Sequence, residues 1–256
     1  MQLLLTTLLF LVSSAIATPG SPVLAAAPAA TTPVSFVLVG DSTTNNDTVV
    51  DSGGWGNGFC ASLAKNTPCI NTAHDGATTG SFIAQGLFNK SLAAIKGEVA
   101  KGRRTLVTIQ FGHNDMKIAP PASMGANLTI MVNAIRAIKG EPVLVTSLSR
   151  RNFFPNGTIN DALGPWADET ILISQQEKTH LLDLHKASIT YLQKIGQAAA
   201  NRLSRTLNDT THLNANGTIV FGRIVANLMN ASYPNQLPII ANPTLTNQIN
   251  KGIPSF

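Results

Sequence analysis

From residue 34 onward, short apolar runs alternate with longer stretches in which apolar side chains return every three or four positions. The first run, Val34 to Val39, is rich in β-branched residues and ends in a glycine, and similar runs recur at 69–73, 105–111, 142–147 and 180–184. Their length and composition predict five β-strands. Helical spacing falls between and after them, at about 54–65, 80–101, 122–139, 165–178, 187–202 and 215–230. Such alternation predicts an α/β fold, a parallel sheet with helices on both faces. In sheets of this kind ligands bind beyond the carboxyl ends of the strands, so function is expected in the loops that follow them.

Those loops hold the unusual residues. The first strand runs into Gly40-Asp41-Ser42, the second into His74-Asp75-Gly76, the third into Gly112-His113-Asn114-Asp115 and the fourth into Arg150-Arg151. A serine alone is a weak nucleophile; it needs a base within hydrogen-bond reach, and the base needs a partner that fixes its tautomer. Asp209 and His212 offer both groups on one short loop before the last expected helix. A tetrahedral intermediate also needs donors aimed at its oxygen, which the N–H groups of Ser42 and Gly76 and the side-chain amide of Asn114 can supply. Singly, these segments read equally well as an ordinary turn, a solvated loop and an Asx-type helix start. Their order, each at an element boundary and each with the needed residue type, points to acyl transfer.

Gly40-Asp41-Ser42, Gly76, Gly112-x-Asn114-Asp115 and Asp209-x-x-His212 together resemble the four sequence blocks of the SGNH (GDSL-like) hydrolase superfamily, over roughly residues 34 to 230. The longer strings Gly40-Asp41-Ser42-Thr43, Gly53-Gly54-Trp55-Gly56 and Phe111-Gly112-His113-Asn114-Asp115 are similar to the fungal rhamnogalacturonan acetylesterases. The resemblance implies a flavodoxin-like three-layer α/β/α sandwich around a five-stranded parallel sheet. It implies Ser42 as nucleophile, His212 as base, Asp209 as its orienter, and Ser42, Gly76 and Asn114 as oxyanion donors. It implies no cofactor and no metal. The chain departs from that branch in its basic charge, its cysteine spacing and the tail after Tyr233, which leaves the substrate open.

Composition adds the setting. Residues 3–12 form an apolar run too short to span a bilayer, followed by Ala15-Ile16-Ala17, so 1–17 reads as a signal peptide rather than a membrane anchor. An Ala/Pro/Thr-rich linker is expected at 18–33, one catalytic domain at 34–232 and a tail at 233–256. Cys60 and Cys69 are the only cysteines; a disulfide is expected, with two buried free thiols as the alternative. Asn-x-Ser/Thr sequons begin at Asn46, Asn89, Asn127, Asn156, Asn208, Asn216 and Asn230, and the one at Asn208 abuts the Asp209 loop. Together these features predict a secreted, extracellular glycoprotein.

The formal charge of +5 suits an acidic polysaccharide or a nucleic acid and does not choose between them. Arg150, Arg151, His113 and His74 are candidate substrate contacts, with one arginine expected to meet a galacturonate carboxylate and the other to face solvent or hold its loop. Trp55 is expected in the core, Phe153 and Phe154 either there or against a sugar ring. His180 and His185 lack metal-site spacing and read as structural. Gly56-Asn57-Gly58-Phe59-Cys60-Ala61 follows no strand, so dinucleotide binding is set aside. The reading that results is an acetylesterase, monomeric, free of nucleic acid and of membrane once the leader is removed, acting on an acetylated polysaccharide such as rhamnogalacturonan. The alternatives are a xylan acetylesterase, a short-chain lipase or arylesterase, and a catalytically silent polysaccharide binder.

Overall fold

The computed structural model describes residues 32–45 and 53–256; the expected signal peptide, nearly all of the linker and the sequon at Asn46 lie outside the described residues. Five strands form the sheet: β1 (Val34–Gly40), β2 (Cys69–Asn71), β3 (Arg104–Gln110), β4 (Glu141–Val145) and β5 (His180–Leu182). All are parallel, in the order β2-β1-β3-β4-β5. This is the flavodoxin-like order, which reverses between β1 and β3 and so opens a crevice at their carboxyl ends.

Alternation along the strands divides the core in two. From β1, Phe36 and Leu38 point to one face and Val37 and Val39 to the other, all fully buried. The first face packs under α1 (Gly56–Cys60), α6 (Leu184–Asn201), α7 (Ala215–Ser232) and α8 (Pro243–Lys251). The second packs under α2 (Thr79–Ala84), α3 (Leu87–Ala100), α4 (Pro121–Ala137) and α5 (Gly164–Gln176). The result is a three-layer sandwich. Among the described residues no helix is long and apolar enough to cross a membrane.

Three elements differ from the sequence expectation. The helix expected over 80–101 is two helices, because Gly86 adopts a left-handed conformation (φ +72°) between α2 and α3. The first helix spans only Gly56–Cys60 rather than 54–65. The tail carries α8, started by the Asn242 side chain accepting from the Leu245 N–H and packed through Ile249 against the core. Cys60 and Cys69 form the expected disulfide across the α1–β2 connection.

Helices α1 and α7 cross at a pair of glycines. A Cβ on Gly222 would stand 2.3 Å from the carbonyl carbon of Gly58, and one on Gly58 only 1.9 Å from the Thr218 oxygen. Gly222→Ala is therefore expected to force α1 and α7 apart, with overpacking costing about 1–3 kcal/mol against roughly 1 kcal/mol gained in helix propensity. Because Ser42 precedes α1 and His212 precedes α7, the acyl transfer expected of this pair should fall by more than the stability loss accounts for. Urea unfolding and turnover of an aryl acetate, measured on the same preparation, check both parts.

Candidate active site

Ser42 lies two residues beyond β1, in a turn closed by the N–H groups of Thr44 and Asn45 on the Asp41 carbonyl. Asp41 braces this turn from within: its Oδ1 accepts from the Thr43 N–H (2.9 Å) and the Thr43 hydroxyl (2.7 Å). From β3, Oε1 of Gln110 accepts from Thr44 Oγ1 and Trp55 Nε1 at 3.0 and 2.9 Å and lies 2.9 Å from Thr43 Oγ1, whose single proton goes to Asp41. Trp55 is wholly buried, as expected, and anchors the segment that returns to the turn. Gln110 itself went unnoticed in the sequence; its one signal is an amide side chain ending an otherwise apolar strand.

The Asp209–His212 loop is an Asx-type turn that serves the histidine. Oδ1 of Asp209 accepts from the Thr211 and His212 N–H groups at 2.9 Å each, which leaves Oδ2 to accept from His212 Nδ1 at 2.9 Å. On the far side of the ring, His212 Nε2 lies 2.8 Å from Ser42 Oγ, across 170 residues of chain. Burial works against the Asp209 carboxylate, but the two N–H bonds, the ring bond and the His212 charge outweigh it and hold its pKa below the ordinary value. A hydroxyl joined to an imidazole joined to a carboxylate can lose its proton as it attacks an electrophilic carbon.

Ser42, Gly76, His113, Asn114, Lys117, Arg150, Arg205 and His212 line one cavity of about 350 Å³ together with Asp75 and Thr211. The N–H groups of Ser42 and Gly76 meet no acceptor among the described residues. Asn114 is pinned by Nδ2 donating to the Ala77 carbonyl (3.1 Å) and Oδ1 accepting from Lys117 Nζ (2.8 Å). The remaining amide hydrogen is left for the cavity. Asp115 draws the same loops together, its Oδ1 accepting from the Thr79 N–H and hydroxyl at the start of α2. Among the described residues no cluster of His, Cys, Asp and Glu could hold a metal ion.

The four candidate substrate contacts separate. Arg150 lines the cavity, half-buried, and meets no carboxylate among the described residues; its Nη2 lies 3.6 Å from the Met116 sulfur. Arg151 does not line it: it is 1% exposed and bonded inward, so it is corrected from a substrate contact to a buried support. His113 forms part of the wall with both ring nitrogens lacking a hydrogen bond, and burial, reinforced by Arg150, holds it neutral. His74 is exposed, next to the lining residues Asp75 and Gly76 but not itself in the lining, with its backbone N–H on the Gly40 carbonyl.

Other expectations resolve in the same way. Phe153 packs on the core and Phe154 stands 47% exposed. His185 is structural, between the Ser147 carbonyl and Asp161. Among the sequons, Asn89, Asn156, Asn208, Asn216 and Asn230 are exposed, whereas Asn127 is half-buried with Nδ2 donating to Thr79. Lys117 and Arg205 were missed, since an isolated loop cation carries no signal in sequence.

A model of the GDSL-like lipase/acylhydrolase family matches residues 38–218. The chain is 28% identical over 211 residues to the rhamnogalacturonan acetylesterase RhgT of Bacillus subtilis, covering 76% of this chain and 88% of that one. The crystal structure of YxiM from B. subtilis superposes with a TM-score of 0.70 at 21% identity, over 81% of this chain and 59% of that one. Axe2, an acetylxylan esterase from Geobacillus stearothermophilus, shares the fold at a TM-score of 0.57 and 16% identity, over 79% and 94% of the two chains.

Burial raises the Asp41 carboxyl from 3.8 to about 6, against the opposing pull of its Thr43 hydrogen bonds. The folded state therefore binds this proton more tightly than the unfolded chain, and the stability due to Asp41 declines as pH rises through roughly 4 to 6. Asp41→Asn keeps the acceptor for Thr43 and removes the titration. Its stability relative to the parent should improve by about 3 kcal/mol between pH 4 and pH 7, read from urea unfolding at both values; a difference that does not change with pH refutes the assignment.

Proposed function

Since the chain belongs to the GDSL-like lipase/acylhydrolase family and is an esterase, we propose that it is a secreted acetylesterase acting on an acidic plant polysaccharide, with Ser42, His212 and Asp209 as its catalytic groups. The observation that carries this reading is the unbroken path from Ser42 Oγ through His212 to Asp209, at 2.8 and 2.9 Å, opening into a cavity lined by Lys117 and Arg150.

In the proposed reaction Ser42 Oγ attacks the acetyl carbonyl carbon and its proton passes to His212 Nε2. The N–H groups of Ser42 and Gly76 and the Asn114 amide donate to the oxygen that becomes negative. Collapse breaks the bond to the sugar oxygen, which takes the proton back from His212 and leaves as a hydroxyl. Water then attacks the acetyl-serine, giving up a proton to His212, and acetate departs as Ser42 regains its hydrogen.

Charge selects among substrates. Lys117 and Arg150 line the cavity with a single acid among the described lining residues, Asp75, so the lining favours an anionic polymer over neutral acetylxylan. Arg150 is the residue best placed to take a uronate carboxylate through two parallel hydrogen bonds. RhgT, whose name gives rhamnogalacturonan as its substrate, supports the same class.

Ser42→Ala is expected to fold and to lose several orders of magnitude in aryl-acetate turnover; a folded variant with near-parental rates ends the assignment. Arg150→Gln is expected to raise KM on acetylated rhamnogalacturonan by roughly five- to a hundred-fold, less so at high salt, and to leave aryl-acetate kinetics nearly unchanged. Acetate release from rhamnogalacturonan and from acetylxylan, side by side, measures this, and a parental preference for the neutral polymer refutes the acidic substrate without touching the esterase.

A further inference from the structure

Arg151 is a buried charge that the proposed ester chemistry does not consume. It is 1% exposed, and no carboxylate pairs with it directly among the described residues. Both oxygens of nearby Asp209 are occupied by the Thr211 and His212 N–H groups and the His212 ring. Burial lowers the guanidinium pKa to about 10, with Asp209 opposing, so the group is still a cation at neutral pH. An unpaired buried charge is expensive to keep, and its hydrogen bonds indicate what it is kept for.

Nε–H donates to Ser204 Oγ at 2.8 Å. Nη2 donates to the His212 carbonyl at 2.6 Å and lies 3.5 Å from the Asp209 carbonyl. The Arg151 backbone N–H donates to the Thr210 carbonyl at 2.9 Å. One residue thus grips three of the four residues from Asp209 to His212 through their main chain. On the solvent side the same loop has little cover: Leu207 is 88% exposed and Asn208 is exposed beside it. Beyond Arg151, the loop is anchored by the Arg205 N–H on the His212 carbonyl and the Leu213 N–H on the Gly53 carbonyl. The planar guanidinium holds Ser204 through Nε and the turn through Nη2 at once, whereas an ammonium is a compact charge with no fork.

We infer that Arg151 is a positioning residue for catalysis, its guanidinium holding the Asp209–His212 turn so that His212 Nε2 stays within reach of Ser42 Oγ. The inference rests on His212 being the base. It places the selectivity of the adjacent arginines in different tasks: Arg150 faces the substrate cavity and Arg151 faces the loop behind it. A reacting group displaced by about 1 Å loses on the order of a hundred-fold in rate, and Arg151 reaches substrate only through that loop. Its removal should therefore act on kcat and spare KM.

Arg151→Ala, assayed with an aryl acetate, is expected to lower kcat about a hundred-fold with KM within about threefold, Arg151→Lys to fall between it and the parent, and ethylguanidinium to restore kcat of the alanine variant about tenfold or more where propylammonium does not. Ser204→Ala, which leaves the guanidinium in place without one of its anchors, should lower kcat by roughly three- to tenfold and decides the matter if Arg151→Ala does not fold. A folded Arg151→Ala with parental kcat, a loss that guanidinium does not relieve, or a rise in KM at constant kcat overturns the inference; so does an unchanged Ser204→Ala where that variant must decide. His212→Ala in the same assay separates the two readings. If it keeps activity the base assignment itself fails, and if it loses activity while Arg151→Ala does not, only the positioning role falls.

Discussion

Oε1 of Gln110 accepts from Thr44 and Trp55 and lies against the Thr43 hydroxyl, and through it the end of β3 is joined to both limbs of the turn that presents Ser42. All four side chains are fully buried. Each would cost free energy if left without a partner in this apolar setting, so they must be satisfied together. That requirement fixes the turn against the sheet at the point where strand order reverses. Gly76 and Asn114 are brought together on the same support: β3 continues into Asn114 and Asp115, whose bonds to Ala77 and Thr79 draw the Gly76 loop alongside.

Electrostatics then separates the cavity from its foundations. Facing the cavity, Lys117 and Arg150 outnumber Asp75 among the described lining residues. Behind it, Asp41 and Asp115 are carboxyls whose pKa values burial raises, and His113 is an imidazole that burial holds neutral. Burial thus opposes charge on all three groups behind Ser42. Asp209 is the exception: hydrogen bonds keep it ionised despite partial burial, in the place where an imidazolium would need an anion.

The sheet and the reactive residues were legible in sequence because both rest on local signals. Short apolar, β-branched runs marked the strands, and Ser42, Asn114 and His212 stood at strand or helix boundaries where apolar patterning stops. Gly86 and α8 were not legible. A single left-handed residue leaves no trace in an apolar pattern with one glycine in it, and α8 owes its place to Asn242 capping and to Ile249 meeting α6 and α7 from afar. Arg150 and Arg151 stood as alternatives for the substrate contact, since sequence orders residues along a loop without saying which of two neighbours turns inward. Gln110 was passed over because its three partners lie 55 to 67 residues away.

The strand order has a consequence for how the molecule comes into being. β1 lies between β2 and β3, and its pairing with β3 joins Val34 to Arg104, so the strand that precedes Ser42 is complete only when a segment 70 residues later arrives. The hydrogen bond from Ser42 to His212 closes over 170 residues. Contacts so distant in sequence form late, after loop entropy has been overcome, and a chain made from its amino end acquires its serine long before the groups that activate it. On the proposed chemistry a half-finished chain is mute, and the first turnover of an ester reports that the chain has closed over those 170 residues.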